Sequence, residues 1–260
     1  MLNSFYNMSN LSLAILLAVV LVGFSWAGVL FIRPFFEIWM RGQIRRNALT
    51  GYTISSISVF YGLLLGLLSV ATYHNTEDVE NMVKSEATNL GTLYRGVSHY
   101  PGHVKYFLQD QIKNYTLYTI DEVWPAQQNG KTAKYDNIIV SNIQDNLISF
   151  NPETRADEIL HAETLRRFNS FIEARQSRQA GVDKSIPLVL WYVVGFGALM
   201  TIGLFWLFDM KLSIHFLLGG SVAFFLSMMI FVIIAMDAPL RGEVSVPPAA
   251  YAKVLKNLMQ

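Results

Sequence analysis

Few residues in this chain have the types and spacing that chemistry requires. The five histidines are His74, His99, His103, His161 and His215. None of them forms a His-Glu-x-x-His run, the helical spacing that sets two imidazoles and a general base around zinc. His99 and His103 stand four apart, but Pro101 between them breaks the face they would share. No Gly-rich phosphate loop and no Gly-x-Ser-x-Gly elbow is present. Cysteine is absent, which removes thiolate nucleophiles, disulfides and Cys-ligated zinc or iron–sulfur centres. The chain therefore does not read as an enzyme: no catalytic residue, no metal-ligating set and no organic cofactor site is expected. Two other groups stand out. Ser55, Ser58, Gly62, Gly66, Ser69 and Tyr73 recur at steps of three and four, which on a helix makes one stripe of small or polar side chains. Such a stripe either lets two helices approach closely, as Gly62-x-x-x-Gly66 would, or faces a water-filled path. Glu77, Asp78 and Glu80 follow it. They read first as a solvated helix face. In a ring of identical subunits they would become an acidic belt able to attract cations, including Ca²⁺.

The elements that must position these residues are unusually apolar. Four segments, Leu11–Ile32, Ile54–Tyr73, Ile186–Phe208 and Ile214–Met236, contain no Lys, Arg, Asp or Glu, and their single histidine is His215. Each approaches the ~20 residues with which a helix crosses a hydrocarbon core of ~30 Å. The expected class is an all-α membrane protein with four transmembrane helices, arranged two plus two around an inserted helical soluble domain. The expected division is residues 1–74 for a first hairpin (spans about 11–32 and 54–73), then 75–185 for the soluble domain. Residues 186–236 make a second hairpin (spans about 186–208 and 214–236), and 237–260 a C-terminal tail. Composition agrees: 52% of residues are hydrophobic and only 15% charged, against roughly 25% in soluble domains. Residues 75–185 hold 12 Lys/Arg and 15 Asp/Glu, so most of the charge sits in the inserted domain and no basic field for nucleic acid exists. The first segment lacks a basic n-region and a small-residue cleavage site, so it reads as a retained span.

Orientation is read two ways. Arg33, Arg41, Arg45 and Arg46 in the first short loop place that loop in the cytoplasm. A count near every span end gives the opposite side nine cations (Lys84, Arg166, Arg167, Arg175, Arg178, Lys184, Arg241, Lys253 and Lys256) against five once Lys211 joins the loop arginines. The larger count favours a cytoplasmic inserted domain, in a multi-pass protein of a bacterial inner membrane. Along the chain, the first span should continue as helix through Phe35, Phe36, Ile38 and Trp39, and the loop should turn near Asn47–Gly51. No breaker follows Tyr73, and Val79, Val83, Ala87, Leu90, Tyr94 and Val97 keep helical spacing up to Pro101. The second span should therefore leave the bilayer as one rod of roughly 45 residues, ~65 Å long. Val104, Phe107, Leu108, Ile112 and Tyr115 give a helix stopped by Pro125, Ile138 to Leu147 a short one, and Asn151-Pro152-Glu153 a helix start.

Motifs along nearly the whole chain resemble the bestrophin-like family of bacterial and plant membrane proteins. Glu86-Ala87 followed by Leu93-Tyr94-Arg95 is similar to that family's "EA…LYR" pattern, and Pro101, Tyr115 and Glu122-Val123-Trp124-Pro125 follow in order. The family more often has Glu-Trp-Pro uninterrupted, so Val123 is an inserted residue. The third span opens with Ile186-Pro187 and Leu190-Trp191, and Asp237-Ala238-Pro239-Leu240-Arg241-Gly242 resembles the family's "D-x-P-[FL]-x-G" exit. The resemblance implies a relationship to bestrophins, pentameric anion channels in which the second of four spans lines a neck and the inserted helices form a cytosolic vestibule. Bestrophin necks carry bulky apolar side chains, whereas the stripe here is small and polar. Among the motif residues, Glu86 and Arg95 are too far apart to pair on one helix and should each bond a neighbouring helix. Trp124-Pro125 should stop a helix and anchor it in the core. Asp237 and Arg241, at i,i+4, could pair at the exit of the fourth span, where Pro239 and Gly242 mark a turn.

The function these readings point to is a homo-oligomeric, pentameric ion channel in the lipid bilayer. Small inorganic ions, anions by resemblance, would pass along the second span, with Ca²⁺ the one metal the acidic residues could attract. The alternative is a non-conducting scaffold or sensor whose helical domain binds a partner protein. An ion-coupled transporter is a third reading, for which Gly195, Gly197 and Gly203 could interrupt the third span.

Overall fold

The computed structural model describes residue 6 and residues 8–131, 136–182 and 185–259. Lys184, one of the cations counted above, lies outside the described residues. Every regular element among them is helical: α1 (Asn10–Phe31), α2 (Arg33–Trp39), α3 (Arg46–Val97), α4 (Gly102–Tyr118), a π-helical turn (Thr119–Val123), α5 (Trp124–Gln128), α6 (Asp136–Ile148), α7 (Arg155–Val182), α8 (Leu188–Phe205), α9 (Leu212–Asp237) and α10 (Ala249–Leu258). Four of them, α1, α3, α8 and α9, are long and apolar enough to cross a membrane. This is the all-α, four-span fold the apolar segments predict.

The chain divides into two compact units, one of residues 1–74 and 185–237, the other of residues 75–184 and 238–260. The membrane unit is built on α1, α8, α9 and the first part of α3. Its core joins Leu13, Val29, Tyr61, Leu65, Ile202, Trp206, Ile230 and Ile233, with α9 packed chiefly along α1. Two glycines make close approach possible. A Cβ at Gly28 would lie 2.0 Å from the Trp206 indole, and one at Gly197 would lie 2.3 Å from the Tyr61 ring. Trp206 Nε1 also donates to Ser25 O at 3.0 Å. α8 runs unbroken through Gly195, Gly197 and Gly203, so it does not show the interrupted span of the transporter reading.

The helical unit has a second core, formed by Val79, Val83, Leu90, Leu93 and Val97 of α3 with Leu108, Ile112, Tyr115, Ile143, Leu147, Phe168, Phe171 and Tyr251. The segment after α9, read from sequence as a tail, contributes α10 to this core.

Four boundaries differ from expectation. The first loop turns over Met40–Arg45, not Asn47–Gly51, because Gly42 takes φ +99°, a left-handed conformation that glycine adopts without strain. α3 therefore starts eight residues before the expected span and runs 52 residues, ~78 Å. Pro125 does not stop a helix but opens α5, where its missing N–H costs nothing in a first turn. The stop comes at Asn129–Gly130, with Gly130 at φ +67° and Lys131 N donating to Ala126 O at 2.8 Å. α7 begins at Arg155 because Thr154 and Asp157 cap each other: Thr154 N donates to Asp157 Oδ2 at 3.1 Å and Asp157 N to Thr154 Oγ1 at 3.2 Å.

Candidate functional site

Both groups of candidate residues lie on α3. In the membrane unit its packed face is Tyr61, Leu65, Leu68 and Thr72, all buried. Tyr61 is fixed there by its hydroxyl, which donates to Val194 O at 2.7 Å. At about 100° per residue, the stripe of Ser55, Ser58, Gly62, Gly66, Ser69 and Tyr73 falls about 60–140° round the helix from Tyr61, outside that face. Ser55, Ser58, Gly62 and Tyr73 are exposed, and Gly66 and Ser69 are half-buried. Among the described residues nothing lies within 4 Å of a Cβ built at Gly62 or Gly66, so none of their helices packs closely on the glycine pair. A functional role for this flank needs a neighbouring copy or water against it; without either it faces lipid. The next sector round the helix carries Val59, Phe60, Leu63 and Leu67, each 60–74% exposed, which suits lipid or a neighbour's apolar face.

Glu77, Asp78 and Glu80 are exposed, as a solvated helix face would be. Glu77 and Glu80 point within about 60° of one another, while Asp78 projects about 100° away from Glu77. Glu80 takes the Lys84 ammonium at 2.6 Å. Among the described residues no three His, Cys, Asp or Glu side chains come together as a metal-ligating group.

Within the helical unit the motif residues build a buried charge cluster. Glu86 of α3 and Arg178 of α7 are both fully buried and joined through Nε and Oε2 at 2.5 Å. Tyr115 of α4 donates to Glu86 Oε1 at 2.8 Å. Arg178 Nη1 donates to Gln127 Oε1 at 3.1 Å, and the guanidinium carbon lies 5.6 Å from the Trp124 ring centre. Burial opposes the Arg178 charge, but Glu86 and the flanking phenol oxygens outweigh it and hold the guanidinium more basic than usual. Burial, reinforced by Glu86, pushes the Tyr115 and Tyr251 hydroxyls above their ordinary value, so both stay protonated. The Glu86 carboxylate, the Arg178 guanidinium and the Tyr115 phenol bond one another, while Arg178 Nη2 and the Tyr251 hydroxyl are buried with no hydrogen-bond partner among the described residues.

Other motif residues locate around this cluster. Trp124 is buried against Tyr251, ring centres 5.6 Å apart, and its Nε1 donates to Val246 O at 2.9 Å. The exit turn supplies that carbonyl: Val246 N donates to Pro239 O at 2.8 Å, and Gly242 takes φ +72°. Asp237, in the membrane unit, commits both oxygens there, accepting Ile186 N at 2.6 Å and the Tyr6 hydroxyl at 2.6 Å. Arg241 lies instead in the helical unit, its guanidinium against Gly130. Tyr94 is half-buried. Arg95 is exposed on a groove of about 600 Å³ between α3 and α10 that Lys84, Thr88, Lys253 and Asn257 also line. Glu86 thus bonds neighbouring helices, as the spacing implies. Its partner Arg178 was missed as a site residue, although Phe168, Phe171, Arg175 and Arg178 follow one 3–4 spacing that carries the guanidinium onto the core face.

Comparison with known proteins places this geometry. The Bestrophin-like domain matches residues 19–251. No curated protein matches the chain. Among solved structures, a point variant of a bacterial bestrophin homologue from Klebsiella pneumoniae superposes with TM-score 0.68 at 9% identity, covering 94% of this chain and 99% of that one. A second variant of that homologue gives 0.65 at 12% identity over 95% and 97% of the two chains. A structure described only as a membrane protein gives 0.65 at 11% over 94% and 97%. At these identities the likeness is one of fold.

Proposed function

The chain belongs to the Bestrophin-like family, and on that premise we propose that it is a homo-oligomeric ion channel, pentameric and anion-conducting as the resemblance implies, with α3 lining the path. The observation that carries this reading is the unoccupied flank of α3. Ser55, Ser58, Gly62 and Gly66 present hydroxyls and bare backbone where the described helices of the chain do not pack, while the adjacent face of the same helix is spent on Tyr61, Leu65 and Leu68. Hydroxyl and backbone dipoles ringed about an axis replace part of an ion's hydration shell without fixed charge, which is sufficient for conduction. Arg178 and Glu86 hold the helices of the inserted domain, which would form the vestibule on the cytoplasmic side of a bacterial inner membrane. The exposed Glu77, Asp78 and Glu80 would then meet ions at one end of the path, with Ca²⁺ the divalent cation to try there.

The test is a planar-bilayer recording of the purified protein in asymmetric chloride. A reversal potential near the chloride equilibrium value supports anion conduction, and one near the cation value reverses the selectivity but keeps the channel. Silence from protein shown to be assembled refutes conduction and favours the scaffold or sensor with a protein partner.

A further inference from the structure

The loop that follows α8 is held by more positive charge than its carbonyls require. The last carbonyls of α8 are met by backbone: Gly203 O, Leu204 O and Phe205 O accept from Trp206 N, Leu207 N and Phe208 N at 3.2, 3.2 and 3.3 Å. Arg46 Nε donates to Leu207 O at 2.7 Å, Arg33 Nη2 to Met210 O at 2.6 Å, and His215 Nε2 lies 3.1 Å from Phe205 O. A carbonyl only accepts, so that imidazole nitrogen carries the proton. Asn47 closes the turn, donating to Asp209 O at 2.8 Å and accepting Asp209 N at 2.7 Å. Asn47 shows that a neutral donor suffices here, yet two guanidiniums are present. Each has a donor to spare: Arg46 Nη2 and Arg33 Nε are buried with no hydrogen-bond partner among the described residues. A buried charged donor left unmade is costly, and native structures rarely tolerate it without an unseen partner.

Beside Arg46, which is only 7% exposed, opens a cleft of about 430 Å³ whose walls include Glu37, Arg41, Gly42 and Asp209. Glu37 is engaged by Arg33 at 2.7 Å. On the cleft itself Arg41 and Arg46 stand with Glu37 and Asp209, and Arg33, which does not line it, takes up Glu37; the sum of one positive charge matches a monoanion better than a multiply charged one. The rim is apolar and open: Ile44 on the cleft is fully exposed, and Trp39 just before it is 71% exposed. Exposed aromatic and aliphatic side chains next to arginines at a span end are the signature of headgroup depth.

We propose that the cleft of Arg41 and Arg46, backed by Arg33, binds a phosphate group, carried there as the phosphodiester of an anionic membrane lipid. Arg46 Nη2 and the Arg41 guanidinium supply the N–H fork, and Glu37 holds Arg33 in place. The site is independent of conduction, so its fate and that of the channel reading are decided separately.

The experiment is thermal unfolding of the purified full-length protein in neutral detergent, titrated with phosphatidylglycerol, phosphatidylcholine or inorganic phosphate. Phosphatidylglycerol should raise the midpoint saturably, and phosphatidylcholine, whose choline cancels the charge, should not. Arg41→Gln should weaken the apparent affinity for phosphatidylglycerol roughly tenfold, the loss of about one charge-assisted hydrogen bond, and Arg46→Gln at least as much. Lys253→Gln, on the groove of the other unit, should leave it unchanged. If Arg46→Gln fails to fold, the exposed Arg41 carries the test. Equal shifts from both lipids, or an Arg41→Gln titration like that of the wild type, would overturn the proposal. A shift from inorganic phosphate alone, lost in Arg41→Gln, would overturn the lipid assignment.

Discussion

Breaking the Glu86–Arg178 pair tests whether the family's buried acid is structural. Both side chains are fully buried at 2.5 Å. Two unit charges with centres ~4 Å apart interact by about 4 kcal/mol at an effective dielectric of ~20. Truncating one partner forfeits that and leaves an uncompensated charge in the core, for which about 3–5 kcal/mol is typical. Arg178→Met should therefore lower stability by about 3–5 kcal/mol, and Glu86→Gln by a similar amount because Arg178 keeps its charge. At about 2–4 °C per kcal/mol for chains of this size, each melting midpoint should fall by roughly 6–20 °C. The double variant Glu86→Gln/Arg178→Met removes both charges at once and should recover to within about 1–2 kcal/mol of wild type. Thermal unfolding in detergent, read by the fluorescence of Trp124 and the other tryptophans, measures all three. A single variant within about 1 kcal/mol of wild type, or a double variant no better than the sum of its parts, refutes the reasoning.

Three further outcomes follow from the geometry. Gly28→Ala places a methyl 2.0 Å from the Trp206 indole and should cost about 1–3 kcal/mol in thermal stability, whereas Gly66→Ala, with nothing within 4 Å, should leave the unassociated subunit unchanged. Gly66→Leu separates the two functional destinations of the open flank: loss of the oligomer on size exclusion assigns it to a neighbouring copy, and an intact oligomer with altered conductance assigns it to the path. His161, bonded to the Tyr100 hydroxyl at 2.6 Å, has its pKa lowered from 6.5 by burial. The unfolded chain therefore takes up the proton first as pH falls, and stability should drop below pH 6.5; His161→Gln should flatten that part of the pH–stability profile.

What was legible in the sequence was whatever repeats along a helix. The spans were legible because four charge-free runs leave few alternatives to crossing a membrane, and the long second helix because Val79 to Val97 never lose their period. Glu86 was legible as an acid needing a partner on another helix. Arg178 was not, because an arginine near a helix end reads as solvated unless its register with Phe168 and Phe171 is followed to the end. Turn positions were misplaced where conformation lies with one residue. Nothing in the composition of the first loop singles out Gly42 over Gly51 as the residue with positive φ. The Thr154–Asp157 cap likewise competes with a plausible start at Asn151-Pro152, and reciprocal hydrogen bonding decides for the later one.

Val123, an extra residue by the family resemblance, coincides with a π-helical turn, the device by which a helix absorbs one. Buried positions run Ile112, Tyr115, Thr116, Thr119, Val123, Trp124 and Gln127; Trp124 follows Thr119 by five residues, a step that on an α-helix would turn it about 140° away, off the face. The π-helical turn over Thr119–Val123 takes up the excess, with Trp124 N bonding Thr119 O five residues back. A single extra residue is what such a turn accommodates. Removing Val123 should restore ordinary α spacing, with Trp four residues after Thr119 and still on the core face. The deletion should lower stability by no more than one buried valine, about 1.5–3 kcal/mol, and leave tryptophan emission blue-shifted. Inserting an alanine after Val123 gives the opposite result. A second extra residue turns Trp124 about 100° off the face, away from Val246 O and Tyr251, and should cost at least the 3–5 kcal/mol typical of losing a buried tryptophan. If the insertion were tolerated and the deletion unfolded the domain, the π turn would be a requirement of the fold and not its means of absorbing an extra residue.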